Sequence, residues 1–475
     1  MMASETTIAK MNSWIDEHTE QLIREIQSFC RIRSVSQSEL AVMRAPFGPE
    51  MREMLNYALM RAASYGFDTM NHDGYCGSVV MGDLNNAIGI FGHLDVVPEG
   101  DGWVYPPYDA TLKGDFLIGR GVVDNKGACV MALFLMRMFK DLHIPLRHGI
   151  RLVLGCSEET GMQDIQYFAK TQVMPEVSLV PDMRFPANYA QKGTLRASVS
   201  IAKGEGNLIT FGGGEVENMV PPYARAQLSC PYDRAVKAFE AAKVEGKFRF
   251  NETLEGVEIV AEGVAAHAAY PEGGQSAIHM LAKALIASNL LTGDSLSAMI
   301  AIENLSRDHY GNQAGIDCED PETGKTTMVV GVARTREDQI QLLVDCRLSI
   351  AAELDTLEPI FKKYCIETGF ALDSIKITKP FYMPKDDPRI ARLTQLYQEM
   401  TGDDSPAYTA GGGTYSKYLE NAITYGPGFS KELPRPKGLP ATHGNAHAPD
   451  EYIHIPTTIQ AMKIYAAAII ELDSI

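Results

Sequence analysis

The chain has 475 residues, too many for one ordinary core, so two or more domains are expected. A hydrophobic share of 45% with 22% charged residues is ordinary for a globular protein. The formal net charge of −17 argues against nucleic-acid and anionic-membrane partners, which need a basic face. Eight cysteines without C-x-x-C spacing read as small buried hydrophobes, not a disulfide framework. The first residues carry no apolar h-region, and no run of eighteen apolar residues occurs. A cytoplasmic protein is expected.

Ile15, His18, Leu22, Ile26 and Phe29 recur at helical spacing and predict one opening amphipathic helix. A second helix is expected over 49–65, stopped by Gly66. Strands over 78–81 and 87–91, a helix over 127–142, a strand over 150–155, a helix over 165–170 and a strand over 177–180 then alternate. That alternation predicts an α/β layer with helices on both faces. From about Gln191 the texture changes. Strands over 195–201, 227–230, 257–263, 328–332 and 342–350 and helices over 273–291 and 354–368 suggest an α+β insert. It reverts near 380–388, with a helix over 390–401, a strand over 422–425 and a closing helix over 457–472. The expected organisation is a catalytic domain, 1–190 and 385–475, interrupted by an insert over 191–384.

Five short segments carry candidate chemistry. His93 and Asp95 follow the 87–91 strand, Glu158 and Glu159 follow 150–155, and Asp182 follows 177–180. Ligand sites of open α/β sheets lie at such carboxyl ends. Asp124 precedes the 127–142 helix, where it or Asn125 is also a natural N-cap. His447 lies in a Gly- and Pro-rich loop, with His443 as a competitor. Imidazoles with several carboxylates suit zinc and related divalent ions. Asp124 is a candidate to bridge two ions, and Asp95 to hold the far side of the His93 ring. Adjacent Glu158 and Glu159 follow the apolar Val153-Leu154-Gly155-Cys156, an uncomfortable place for two unneutralised carboxylates. One Glu can bind metal while its neighbour serves as general base.

The segments GHLDVVPEGDGW, GRGVVDNKG, SEETG, VPDMRFP, ENMVP, GVAAHAAYPEGG, DCRLS, AGGGTYSKYLENAITYGPGF and HAPDEY appear in this order. Together they resemble the metallopeptidase family that includes carboxypeptidase G, aminoacylase, acetylornithine deacetylase and succinyl-diaminopimelate desuccinylase. The likeness is greatest to bacterial dipeptidases of the PepV and Sapep type, and it spans essentially the whole chain. It implies a zinc-exopeptidase-like α/β catalytic domain, with a mixed or parallel sheet flanked by helices, and an inserted α+β lid.

The resemblance also implies roles. One ion would be held by His93, Asp124 and Asp182, and the other by Asp124, Glu159 and His447. The H-x-x-(N/D)-E pattern selects His447 over His443. Asp95 would orient His93, Glu158 would be the general base, and His267 would stabilise the oxyanion from the lid. Asn218 and Arg347, with Gly412, Gly413 and Thr414, would bind the substrate's carboxylate side. Arg347 without the resemblance reads as a solvent-facing strand residue. The implied cofactors are two divalent ions per chain, zinc first and manganese or cobalt as alternatives. The implied partner is a small peptide, acted on by a monomer or homodimer. Asn125 departs from the family's usual Asp or Met, and Asp450 from its common Asn. Dipeptide hydrolysis is the expected activity. N-acyl-amino-acid hydrolysis is the alternative, and a non-catalytic binding protein would have lost a ligand or the base.

Overall fold

The computed structural model describes residues 5–431 and 433–474. Its fold is mixed α/β, and the chain divides into two compact units. The first comprises Met1–Tyr189, Met383–Tyr408 and Thr414–Ile475, and the second Ala190–Tyr382 and Thr409–Gly413.

The first unit is built on a sheet whose strands run in the spatial order Asp68–His72, Cys76–Met81, Gly149–Gly155, Ala87–His93, Val177–Val180, Ala422–Tyr425 and Ala187–Gln191. The four from Gly149–Gly155 to Ala422–Tyr425 are parallel, and every one of their residues is buried. Continuous burial is what parallel strands covered on both faces require. The Ala87–His93 strand shows both faces directly. A Cβ added to Gly92 would meet the Asn125 and Cys129 side chains at 2.7 Å, at the start of the Lys126–Asp141 helix. On the opposite face Phe91 packs edge-on against Phe168 of the Gln163–Thr171 helix, with ring centroids 5.4 Å apart.

The second unit is α+β. An antiparallel sheet runs Lys247–Thr253, Gly256–Glu262, Tyr223–Leu228, Leu208–Gly213, Thr327–Arg336, Gln339–Leu348, Gly193–Ala202 and Ala371–Thr378. The Tyr223–Leu228 and Gly256–Glu262 strands alternate in burial. Ala224, Ala226 and Leu228 enter a core shared with Ile278, Leu281 and Leu285 of the Ala277–Ala287 helix, while Tyr223 and Arg225 stay exposed.

Several elements differ from their sequence expectation. The opening helix is two, Glu5–Glu17 and Thr19–Cys30, because His18 leaves helical geometry at φ −100° and ψ 5°. The apolar stripe crosses that break, so spacing alone cannot see it. The helix expected from 273 begins at Ala277, where the Ser276 hydroxyl accepts from the His279 N–H. Helices Tyr232–Ala242 and Ser295–Leu305 and the strand Lys247–Thr253 had no sequence expectation. Among the described residues no helix is long and apolar enough to cross a membrane.

Candidate metal centre

Three parallel strands end side by side and deliver the candidate ligands. In the register of Ala87–His93 on Gly149–Gly155, His93 lies opposite Gly155, so the Glu158-Glu159 turn begins beside the histidine. Val177–Val180 flanks the other side, and Asp182 follows it by two residues. His93 Nδ1 donates to the Asp95 main-chain carbonyl at 2.9 Å, which turns Nε2 toward the carboxylates. Nε2 lies 3.0 Å from Asp124 Oδ1 and 3.7 Å from Asp182 Oδ1. It is buried there without making a hydrogen bond. The second Asp124 oxygen, Oδ2, is 3.1 Å from His447 Nε2, which is itself 3.0 Å from Glu159 Oε1. Asp124 thus presents one oxygen to each imidazole.

Single donor atoms of His93, Asp124 and Glu159 lie within 4.8 Å of one another, and so do those of His93, Glu158 and Asp182. Without cations such a cluster has to hold protons. Burial pushes the Glu158 carboxyl well above its ordinary range, and Asp182 adds to the push. Asp124 and Glu159 push the His447 imidazole up to about 10. Burial alone would lower His93, but Asp124, Asp182 and Asp95 outweigh it and hold the ring well above its ordinary value. Two imidazoles and four carboxylates are a donor set for divalent ions, and the unbonded His93 nitrogen points among them. The residues therefore fit two metals.

The Asp95 carboxylate lies 3.4 Å from His93 Nδ1 and is among the groups that raise the ring's pKa, and it takes hydrogen bonds from a second segment as well. Oδ1 accepts from Glu158 N and Oδ2 from Glu159 N, each at 3.1 Å. The ring thus faces both the main chain and the carboxylate of Asp95, and the carboxylate also fixes the turn that carries both glutamates. His443, the competing imidazole, is 2.6 Å from Asp450 Oδ2, and Asp450 also accepts from Val104 N and Tyr105 N.

Four residues around the centre, Glu451, Arg120, Asp164 and Asn125, make contacts that were not foreseen from sequence. Glu451 Oε1 accepts from Gly121 N, Val123 N and Asp124 N at 3.1, 2.8 and 3.0 Å. Its Oε2 pairs with Arg120 Nη1 at 2.8 Å, with both side chains buried. Asp164 accepts from Cys156 N, Ser157 N and the Tyr415 hydroxyl, and so anchors the other end of the Glu158-Glu159 turn. Asn125 is buried; its amide nitrogen donates to Asp182 Oδ1 at 2.9 Å and Pro181 O at 2.6 Å, while its oxygen accepts from His93 N at 3.3 Å. The only signals were an acidic residue in a recognised motif and a departure from a family pattern, and neither reveals its partners.

Asn125 thus ties three ligand-bearing segments together. Groups outside the ligands typically govern metal affinity by about 10–100-fold. We expect Asn125→Leu to weaken zinc binding by about that factor, measured by titration against a competing chelator. Unchanged affinity would make the amide network irrelevant to the ions.

The other candidates, apart from Thr414, belong to the second unit. Arg347 is not solvent-facing. It is buried, donates to both Asp345 oxygens at 2.6 and 3.2 Å, and reaches Gly411 O at 3.3 Å. Asn218 accepts from Ala268 N through its main-chain oxygen, beside the pairing of Met219–Val220 with Ala266–His267. His267 Nδ1 accepts from Ala269 N at 3.1 Å, and burial, with Arg347, lowers the ring's pKa. The neutral ring then carries its proton on Nε2. Gly412 has open space around a notional Cβ, whereas one on Gly411 would meet Ala269 Cβ at 2.4 Å. The close approach therefore demands glycine at 411. Thr414, in the first unit, is buried with its hydroxyl 2.9 Å from that of Thr424.

Comparison with known proteins agrees with this chemistry. The profile of Peptidase family M20/M25/M40 matches residues 89–471. A Bacillus subtilis (strain 168) protein named "Putative dipeptidase YtjP" is 30% identical over 463 residues, covering 95% of this chain and 97% of the relative. Among solved structures, the dipeptidase Dug1p of Saccharomyces cerevisiae superposes with a TM-score of 0.60 at 13% identity, covering 99% of each chain. Human carnosine dipeptidase 1 gives 0.58 at 14% identity, over 98% of this chain and 100% of that one. At such identities these two structures speak for the fold.

Proposed function

This chain belongs to peptidase family M20/M25/M40, and on that premise we propose that it hydrolyses the peptide bond of dipeptides with a free amino terminus. Two divalent ions would be held, one by His93, Asp124 and Asp182 and the other by Asp124, Glu159 and His447. The observation that carries this reading is Asp124 with Oδ1 on His93 and Oδ2 on His447. When bound, such ions supply Lewis acidity toward a carbonyl and acidify water. Zinc matches imidazole and carboxylate donors best, with manganese and cobalt as the other candidates.

The chain's own groups then divide the work. Glu158 takes the proton of the attacking water and passes it to the leaving amine, one carboxylate serving as base and then acid. Asp95 keeps Glu158 in place through the main chain. His267 is assigned to the oxyanion, for which an Nε2–H donor is the right group. Arg347, with Asn218, Gly412, Gly413 and Thr414, is assigned to the substrate's carboxylate side, and a guanidinium suits that partner. The first unit is the catalytic domain in this reading and the second its lid. Seven of the eight cysteines are buried and all are free thiols, which fits a reducing cytoplasm.

The test uses chelated protein with Zn²⁺, Mn²⁺ or Co²⁺ restored separately, on Ala-Ala, Leu-Leu and β-Ala-His and on N-acetylated amino acids. We expect chelation to abolish cleavage and one ion to restore it on the free-amine dipeptides. Restoration on the N-acetyl substrates alone would overturn the dipeptidase reading and make the chain an amidohydrolase of acylated amino acids.

A further inference from the structure

The second unit holds a cavity of about 360 Å³ whose lining includes Lys192, Tyr270, Tyr310, Lys325 and the main chain of Thr409, Ala410 and Gly411. That is near the lower end of small-ligand cavities, about 300–1,000 Å³. Its walls come from the segments that carry candidate substrate residues. Gly411 precedes Gly412 and receives Arg347 Nη1 on its carbonyl. The Tyr270 hydroxyl accepts from Gly411 N at 3.3 Å, and the Tyr270 N–H donates to the His267 carbonyl.

Lys192 is the unusual member. It is 7% exposed, and its Nζ donates to Lys325 O at 2.5 Å. Among the described residues it forms no ion pair. An ammonium carries three N–H donors, and burying one without a counter-charge is costly. Burial lowers its pKa, as does the nearby Arg347, against the pull of Glu272 and Asp320. Neither carboxylate closes on it. Asp320 already accepts from Ser349, Thr323 and the Glu322 N–H, and Glu272 is an exposed lining residue. Lys325 adds a second cation, its Nζ 5.0 Å from the Tyr310 ring centroid. The cavity wall also carries Glu272 and Glu319, but both are exposed, so Lys192 is the buried ammonium without an ion pair, beside the group assigned to a terminal carboxylate.

We propose that this cavity receives the side chain of the substrate's C-terminal residue and selects an acidic one, with Lys192 pairing to the side-chain carboxylate. The inference rests on the peptidase reading above and makes dipeptides ending in glutamate or aspartate the preferred substrates.

The test compares kcat/KM for Ala-Glu and Ala-Gln, alike in shape and different in charge, on metal-loaded protein. N-acetyl-Glu and N-acetyl-Gln run in parallel. Hydrogen bonds to charged groups set the expected acid-over-amide ratio at about 10–100 in the unaltered chain, carried mainly by KM. Lys192→Met should bring the ratio to about 1, and Lys192→Arg should recover part of it. Cleavage of Ala-Gln as fast as Ala-Glu overturns the subsite and leaves the dipeptidase reading standing, and this holds even if the Met variant does not fold. A preference that survives in Lys192→Met removes Lys192 from the assignment. Cleavage of the N-acetyl pair alone overturns the dipeptidase reading, while its own ratio still decides the subsite. Cleavage of neither series overturns both.

Discussion

Glu158→Gln is expected to keep both metals and to lose about 10⁴-fold in kcat, the upper end of what one acid–base group supplies. The side chain is asked to act twice, as acceptor of the water proton and as donor to the leaving amine. An amide of the same shape does neither. The turn should survive the change, because Asp95 holds it through the Glu158 and Glu159 main-chain amides. Asp164 holds the preceding Cys156 and Ser157 amides in the same way. Metal analysis beside kcat separates the outcomes. Full metal content with activity within about tenfold of the parent would give the base role to another group, since a positioned acid or base contributes at least about 10². Loss of metal would make Glu158 a ligand, a role its place within 4.8 Å of His93 and Asp182 donor atoms also permits.

The difference between Glu158 and Asp95 shows how far the sequence could be read. Carboxylates just past apolar strands could be picked out because a strand end points its residues to one place, and three parallel strands make those places neighbours. Which carboxylate faces which partner depends on contacts between residues far apart in the chain. Asp95 reaches Glu158 across 63 positions, and Arg120 reaches Glu451 across 331. Such pairs leave no local spacing. Arg347 misled for a related reason. Its strand, Gln339–Leu348, alternates in burial through Leu343 and is continuously buried from Val344 onward, so period two no longer separates an inward arginine from an outward one. The helical breaks were hidden differently. At His18 the apolar stripe runs straight through the interruption, and at Ser276 a single hydroxyl sets the helix start inside an otherwise helix-compatible run.

Glu451→Leu is expected to be the most damaging change outside the ligands themselves. The substitution strands the buried Arg120 guanidinium, a situation that typically costs about 3–5 kcal/mol. It also removes the acceptor of three main-chain N–H groups, including that of Asp124. Against a typical total stability of about 5–15 kcal/mol, either loss is severe. Guanidinium unfolding of the metal-free protein should show a lower midpoint. Chelator titration should show weaker metal binding, because the segment presenting Asp124 is no longer held. Arg120→Met in the same background tells the two effects apart. If the stranded cation dominates, the double variant recovers most of the lost stability, and the coupling between the two sites is large. If main-chain anchoring dominates, the double variant stays as unstable as Glu451→Leu and still binds metal poorly. We expect partial recovery of stability without recovery of metal affinity. Arg120 reaches Glu451 through one oxygen, while the three amides that shape the Asp124 turn all depend on the other.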